Sequence, residues 1–203
     1  VKNLADEQLM AQIQEGETGA LDELYRRYAK RLYVFCDNLT RGKTPQDPED
    51  LVQEVFLRVI KSAHTFNPGK ASFRTWLYRV ARNRCLDVLR REKILKFFRL
   101  GDAGENGEAG EAIPGEEVLP DPGEPVEQTV MKAALFEAIR DCIAELEKEE
   151  QKQALLLYYL GGKVYREIAE VLGKSTSTAK NWVESARDKV KLCLELKGFD
   201  GFV

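Results

Sequence analysis

The chain has 203 residues, 43% hydrophobic and 32% charged, with a formal net charge of −3; that length supports one or two small cores. It holds no apolar run of membrane-spanning length, and its first residues, VKNLADEQLM, lack the basic-then-apolar layout of a secretory signal, so a cytoplasmic protein is expected. With one histidine, His64, four cysteines outside any CxxC pair, no nucleophile–base pair and no phosphate-cradling glycine loop, neither an enzyme nor a metal or cofactor is expected.

The near-neutral total conceals an asymmetry. Residues 1–99 carry 19 basic and 13 acidic side chains, residues 100–133 carry 1 and 9, and residues 134–203 carry 11 and 12. A weakly acidic chain is ordinarily a poor nucleic-acid binder, but here the basic and acidic parts are separate. Cys36, Cys85, Cys142 and Cys193 lie far apart in sequence, and in a reducing compartment each reads as a small core residue.

In chain order, Leu4 to Gln14 reads as a short amphipathic helix around Leu9 and Ile13, stopped by Gly16. A long helical stripe follows through Leu21, Leu24, Tyr25, Tyr28, Leu32, Phe35, Cys36 and Leu39, and the turn TRGKTPQDP ends it. Asp47 is a good N-cap and Pro48 suits the first helical position, with Glu49 and Asp50 on the positive end of the dipole. The helix they start places Leu51, Val52, Val55, Phe56, Val59, Ile60 and Ala63 on one arc and Asp50, Gln53, Glu54, Arg58 and Lys61 opposite. Leu57 falls in the middle of the polar arc. It is either one exposed leucine or an apolar anchor ringed by carboxylates and an amide, the second suiting a basic protein partner.

Ser72 can cap the next helix. Phe73, Leu77, Val80, Ala81, Cys85, Val88 and Leu89 form its core arc; Thr75, Arg79, Arg82, Asn83 and Arg90 form another, with Trp76 at its edge. From Arg74 to Arg99 there are nine Lys/Arg against Asp87 and Glu92. The loop before it holds His64, Phe66, Asn67 and Lys70. Cations beside ring platforms suit single-stranded nucleic acid, because rings stack unpaired bases of any identity.

Leu100 to about Gln128 is rich in Gly, Pro and Glu and nearly free of large apolar groups, so it reads as a flexible linker. Extended at ~3.3 Å per residue it reaches on the order of 90 Å. It is either a passive tether or an acidic mask over the protein's own basic surface. Helical periodicity returns with Leu135, Ile139, Cys142, Ile143 and Leu146, and again with Ala154, Leu155, Leu157, Tyr158 and Leu160. Tyr165 to Leu172 reads as a short helix with Gly173 just past its end, and Ser175 caps a last helix running to about Leu196, which is helix-turn-helix spacing. The expected fold is all-α: a four-helix domain over 1–99, an acidic linker over 100–128 and a helix-turn-helix domain over 129–203.

DLVQEVFLRV followed by SFRTWLYRVARNRCLDVLRR resembles the polymerase-binding and −10-reading segment of bacterial sigma-70 factors of the extracytoplasmic-function group, and YREIAEVLGKSTSTAKNWVESARDKV resembles their −35-binding domain. The resemblance implies that Asp50, Gln53, Glu54, Leu57 and Arg58 dock on the clamp of the largest polymerase subunit, with the flap as a further contact. It implies that the loop from His64 to Ser72, with Phe66, Asn67, Lys70 and Phe73, holds an extruded −10 base. Trp76, Arg79, Arg82, Asn83 and Arg90 would line the single strand. Ser175, Ser177, Thr178, Lys180, Asn181 and Arg187 would read the upstream promoter duplex. An anti-sigma factor is the implied regulator.

The last helix departs from the pattern: Trp182, Glu184 and Ser185 stand where the family tends to place basic side chains, and Lys174 and Thr176 replace apolar residues at the turn. Weak duplex binding is therefore expected from this domain alone. Two other classes stay open, a helix-turn-helix regulator that works without polymerase and a sigma-like interaction protein without promoter function.

Overall fold

The computed structural model describes residues 4–17, 19–102, 126–162 and 164–199. Among them are eight α-helices, one 3₁₀ turn and no strand, as the sequence periodicity predicts. The helices are α1 (Asp6–Gln14), α2 (Gly19–Thr40), α3 (Pro48–Lys61), α4 (Phe73–Asp102), α5 (Val126–Ala144), α6 (Glu149–Tyr159), α7 (Tyr165–Leu172) and α8 (Thr176–Leu196), with the 3₁₀ turn at Ala63–Thr65. The expected acidic linker falls largely on residues 103–125, outside the described residues; the helices on either side run to Asp102 and resume at Val126.

Local signals place the helix ends. The Asp47 carboxylate accepts from the Glu49 N–H at 2.7 Å, with Pro48 in the first turn, so α3 starts where its cap requires. Ser72 Oγ accepts from the Thr75 N–H at 3.2 Å and starts α4. Gly173, at φ 66°, ends α7 in the left-handed region, where a Cβ would be strained. Ser175 Oγ accepts from the Thr178 N–H at 3.1 Å and opens α8.

The first unit packs α1–α4 around Leu24, Leu32, Phe35, Leu51, Val55, Val59, Phe73, Leu77 and Ala81, all buried. The buried stripe of α3 is narrower than the arc expected from the sequence. Ile60, expected in the core, sits at its edge and is 46% exposed, one turn from Leu57 at 53%. In the second unit α6, α7 and α8 pack on each other, and one hydrophobic cluster runs continuously through both units from Leu9 to Ala186. A smaller cluster of Ala138, Cys142 and Leu194 joins α5 to α8.

Two of the four expected core cysteines are not thiols. Cys142 on α5 and Cys193 on α8 form a disulfide, their Cα atoms 5.8 Å apart across a sequence separation of 51. The pairing comes from α5 lying along α8, which no local pattern encodes. Cys36 and Cys85 remain free and buried, as expected.

Arginines lock α1 to α2. Glu23 accepts from Arg26 Nη2 at 2.7 Å and from Arg27 Nε at 2.8 Å, and Arg27 also donates to Asp6 at 2.8 Å and to the Leu4 carbonyl at 2.9 Å. The hydrogen bonds from Arg26, then Arg27, hold the Glu23 carboxyl down at about 2 against its ordinary 4.5. A depressed carboxyl stabilises the fold above its unfolded value and loses that contribution as pH falls through the folded one. Thermal melts between pH 5 and 2 are therefore expected to fall more steeply for the natural chain than for Glu23→Gln, and parallel curves would exclude this source of acid sensitivity.

Candidate polymerase and nucleic-acid interfaces

On α3, Asp50, Gln53 and Leu57 face solvent together, and Arg58 is half-buried beside them. Glu54 is different. Its carboxylate pairs with Arg84 of α4 and accepts from Gln46 Nε2 at 3.0 Å. Arg84 is 5% exposed, and its Nη1 has no partner among the described residues. The Arg84 guanidinium pulls the Glu54 carboxyl below the usual carboxylate range. Glu54 is therefore first of all the counter-ion of a buried charge, and Arg84, one of the nine cations counted from Arg74 to Arg99, is withdrawn from the surface. Arg58 reaches across to Asp87 of α4 at 3.2 Å. Between the two helices lies a groove of about 330 Å³ lined by Arg58, Lys61, Ser62, Val80 and Asn83. Lys61 and Ser62 join Asn83 there only because α3 and α4 run side by side.

The loop before α4 is pinned from α1. Gln14 Nε2 donates to the Ala63 carbonyl at 2.8 Å and the Phe66 carbonyl at 3.2 Å, and Glu7 accepts from the Phe73 N–H at 3.0 Å. Between these pins His64, Asn67 and Lys70 are exposed. Asn67 Oδ1 accepts from the Gly69 N–H at 2.9 Å and folds the tip over. Phe66, Phe73 and Trp76, expected as ring platforms, pack on one another instead, with centroids 5.7–6.1 Å apart, and are at most 9% exposed. Their size decides this: burying each ring removes far more apolar surface from water than one stacked base would cover.

The polar arc of α4 is met by the second unit. Arg79 Nη2 pairs with Glu170 of α7 at 2.8 Å, and Arg82 Nε donates to Gln153 of α6 at 2.6 Å. Thr75 and Ser72 hydroxyls donate to Glu167 of α7 at 3.2 and 3.4 Å, and the Tyr78 hydroxyl donates to the Leu160 carbonyl at 3.0 Å. Lys43, in the turn after α2, pairs with Glu149 of α6. Gln151, Lys152 and Gln153 of α6 are all buried, with the Lys152 ammonium donating to the Ala144 carbonyl at 3.3 Å. Burial pushes the Lys152 and Arg82 pKa values down. Asn83 and Arg90 stay exposed beyond this seam. Sequence reasoning found the cations of α4 but not Gln153, Glu167 and Glu170, which in sequence look like ordinary polar faces of α6 and α7.

On α8, Ser175, Ser177, Lys180, Asn181 and Arg187 are exposed and Thr178 is half-buried within the cap. Lys180 pairs with Glu184 at 3.7 Å and Arg187 with Asp188 at 3.5 Å. Trp182 packs against the hydrophobic cluster, and Ser185 Oγ accepts from Gln151 Nε2 at 3.1 Å. Of the departures Trp182, Glu184 and Ser185, the first packs on the core, the last ties α8 to α6 and Glu184 compensates a cation.

Two family models match, Sigma-70 region 2 over residues 24–94 and Sigma-70, region 4 over residues 136–190. The ECF RNA polymerase sigma factor SigX of Bacillus subtilis is 30% identical over 159 residues, 77% of this chain and 74% of SigX. This chain is an extracytoplasmic-function sigma factor of the sigma-70 family.

The sigma factor is also 29% identical over 84% of its length to the ECF RNA polymerase sigma factor SigE of Mycolicibacterium smegmatis, of which it spans about 60%. Its fold is shared with the sigma factor RpoE in complex with the anti-sigma factor NepR from Bartonella quintana, at 19% identity and a TM-score of 0.63, over 86% of this chain and 96% of that one. No helix among the described residues of this sigma factor is long and apolar enough to cross a membrane.

Proposed function

We propose that this sigma factor directs core RNA polymerase to a set of promoters in the cytoplasm and helps to open their −10 region, supplying no catalysis itself. The observation that carries the reading is the exposed apolar pair Leu57 and Ile60 beside Asp50 and Gln53 on α3, next to a cationic groove. Residues 1–99 are the polymerase- and −10-binding part, 100–128 the connector and 129–203 the −35-binding part. The polymerase clamp takes the α3 surface, the flap takes the second unit, and the exposed loop residues His64, Asn67 and Lys70 with Asn83 and Arg90 take the displaced strand. Melting by capture needs only that stacking and phosphate contacts offset the lost base pairing. An anti-sigma factor is the proposed regulator, by analogy with the RpoE–NepR pair.

Arg79 and Arg82 belong to the same strand-binding row, and in the closed arrangement α6 and α7 occupy them. Promoter opening then requires the two units to part. Reversing Glu170 to arginine is expected to raise affinity for a −10 single-stranded oligonucleotide about 3- to 10-fold, since one half-exposed pair is lost and a repulsion added. Anisotropy titration measures it, and an unchanged Kd would mean that the seam does not compete with the strand.

Run-off transcription from fragmented genomic templates by core polymerase plus this chain tests the function itself. Initiation at discrete start sites is expected. Failure on every template would favour the second reading, a sigma-like protein given over to protein contacts, for which the internally compensated cations of α8 speak.

A further inference from the structure

The Cys142–Cys193 disulfide has the surroundings of an exchange site. Cys142 is 2% exposed, whereas Cys193, at the edge of the face of α8 that meets α5, is half-buried. A cavity of about 250 Å³ beside the disulfide is lined by Cys142, Glu145, Leu146, Glu147, Lys189 and Cys193. Among the described residues its wall carries one cation, Lys189, and two carboxylates, Glu145 and Glu147, a mixed lining that suits a small thiol bearing both an ammonium and a carboxylate. The other described contacts between α5 and α8 form a small cluster, separate from the main core. They include the small cluster of Ala138, Cys142 and Leu194, with Leu135, Ile139, Val190 and Phe199 packed against it, and exposed pairs from Lys197 to Asp141 and Glu145 at 3.4 Å, which contribute little in water. Of the expected reading residues of α8, Ser177 to Asn181 lie at its other end, about 18 Å from Cys193 to Asn181 at 1.5 Å per residue, and Arg187 lies between.

We propose that Cys142 and Cys193 are a reversible dithiol–disulfide site that exchanges with a low-molecular-weight thiol bound in this cavity and sets how firmly α5 is held to α8. A small thiolate attacks the accessible Cys193 sulfur, forming a mixed disulfide there and expelling Cys142 as a thiolate, which takes a proton from water. A second small thiolate attacks the small-molecule sulfur of the mixed disulfide and releases the Cys193 thiolate, which is protonated in turn. The net change is one protein disulfide and two small thiols to one protein dithiol and one small disulfide, two electrons passing to the protein; oxidation is the reverse, with the small disulfide as oxidant. In the dithiol state the Cys193 S–H has an acceptor in Glu145 Oε2, 3.5 Å from the sulfur. Cys36 and Cys85 take no part. Both are sealed in the core of the first unit, and the hydrogen bond between them and their burial push the Cys36 thiol up, which keeps it protonated. The site is independent of promoter reading.

The test equilibrates the full chain in glutathione buffers of graded thiol-to-disulfide ratio, alkylates it and counts modified cysteines by mass spectrometry. Cys142 and Cys193 are expected to become alkylatable together, in one two-electron transition, with Cys36 and Cys85 unchanged. Because the disulfide links residues 51 positions apart, the reduced form is expected to melt on the order of 10 °C lower. Cys193→Ser, at the more exposed position, and Cys142→Ala/Cys193→Ser should both melt like the reduced chain and lose the response to the buffer. Lys189→Glu should slow exchange with glutathione several-fold and leave exchange with an uncharged dithiol unchanged. Cysteines that stay alkylatable at every ratio, or identical melts for the oxidised and reduced chain, would overturn the proposal; equal glutathione rates with and without Lys189 would remove the cavity from it.

Discussion

Replacing Leu57 with arginine is expected to weaken binding to core RNA polymerase by roughly 30-fold or more, with no change in thermal stability. The side chain is 53% exposed and lies outside the hydrophobic core, so the fold gives up nothing. At a docked surface the same residue, ringed by Asp50 and Gln53 and backed by Ile60, is an apolar anchor surrounded by polar groups that exclude water from it. An arginine there puts a charge in place of the apolar anchor, and a clamp of basic character would repel it. Titration of labelled core against the two chains measures the effect. A folded variant with an unaltered Kd would take α3 out of the docking surface and leave a helix-turn-helix regulator as the better reading.

Glu54 is expected to respond differently, because it has a structural task before any functional one. Among the described residues, Glu54→Lys leaves the buried Arg84 guanidinium with Gln46 as its remaining partner, at 3.5 Å, and sets a second cation against it. Breaking a fully buried pair costs about 3–5 kcal/mol; with the Glu54 side chain 38% exposed, about 2 kcal/mol is expected here, a fall in Tm of about 4–8 °C. Replacing both partners, as Glu54→Leu with Arg84→Met, should recover most of the loss, since a well-packed apolar pair avoids the desolvation of both ions. This double variant also separates the two roles of Glu54. If it is as stable as the natural chain and binds core polymerase equally well, Glu54 holds the helices together and nothing more. If it is stable and binds poorly, the carboxylate is a contact in its own right.

The helix-turn-helix was legible because its signals are local: a glycine that must be left-handed at 173 and a serine cap at 175 fix the turn, whatever surrounds it. The Asp47–Pro48 start of α3 and the exposure of Leu57 were legible for the same reason. Arg84 was not, because a charge count along a helix cannot tell a cation that faces water from one that faces a carboxylate on the neighbouring helix. Phe66, Phe73 and Trp76 looked like platforms because ring and cation alternate in sequence, yet in space the rings meet one another first. The occupants of Arg79 and Arg82 lie 91 and 71 residues further along the chain, and only the folded arrangement brings them together.

The directed contacts between the two halves are made by groups that water can also satisfy: guanidinium to amide, hydroxyl to carboxylate, ammonium to carboxylate. Their share of the joint comes apart at small cost, because each donor and acceptor exchanges one partner for another. What holds the halves shut is then the oily surface of the cluster they share, which water cannot replace. A larger assembly that spreads the molecule open must therefore cover that surface with apolar groups of its own, so unfolding of the joint and docking are one event rather than two.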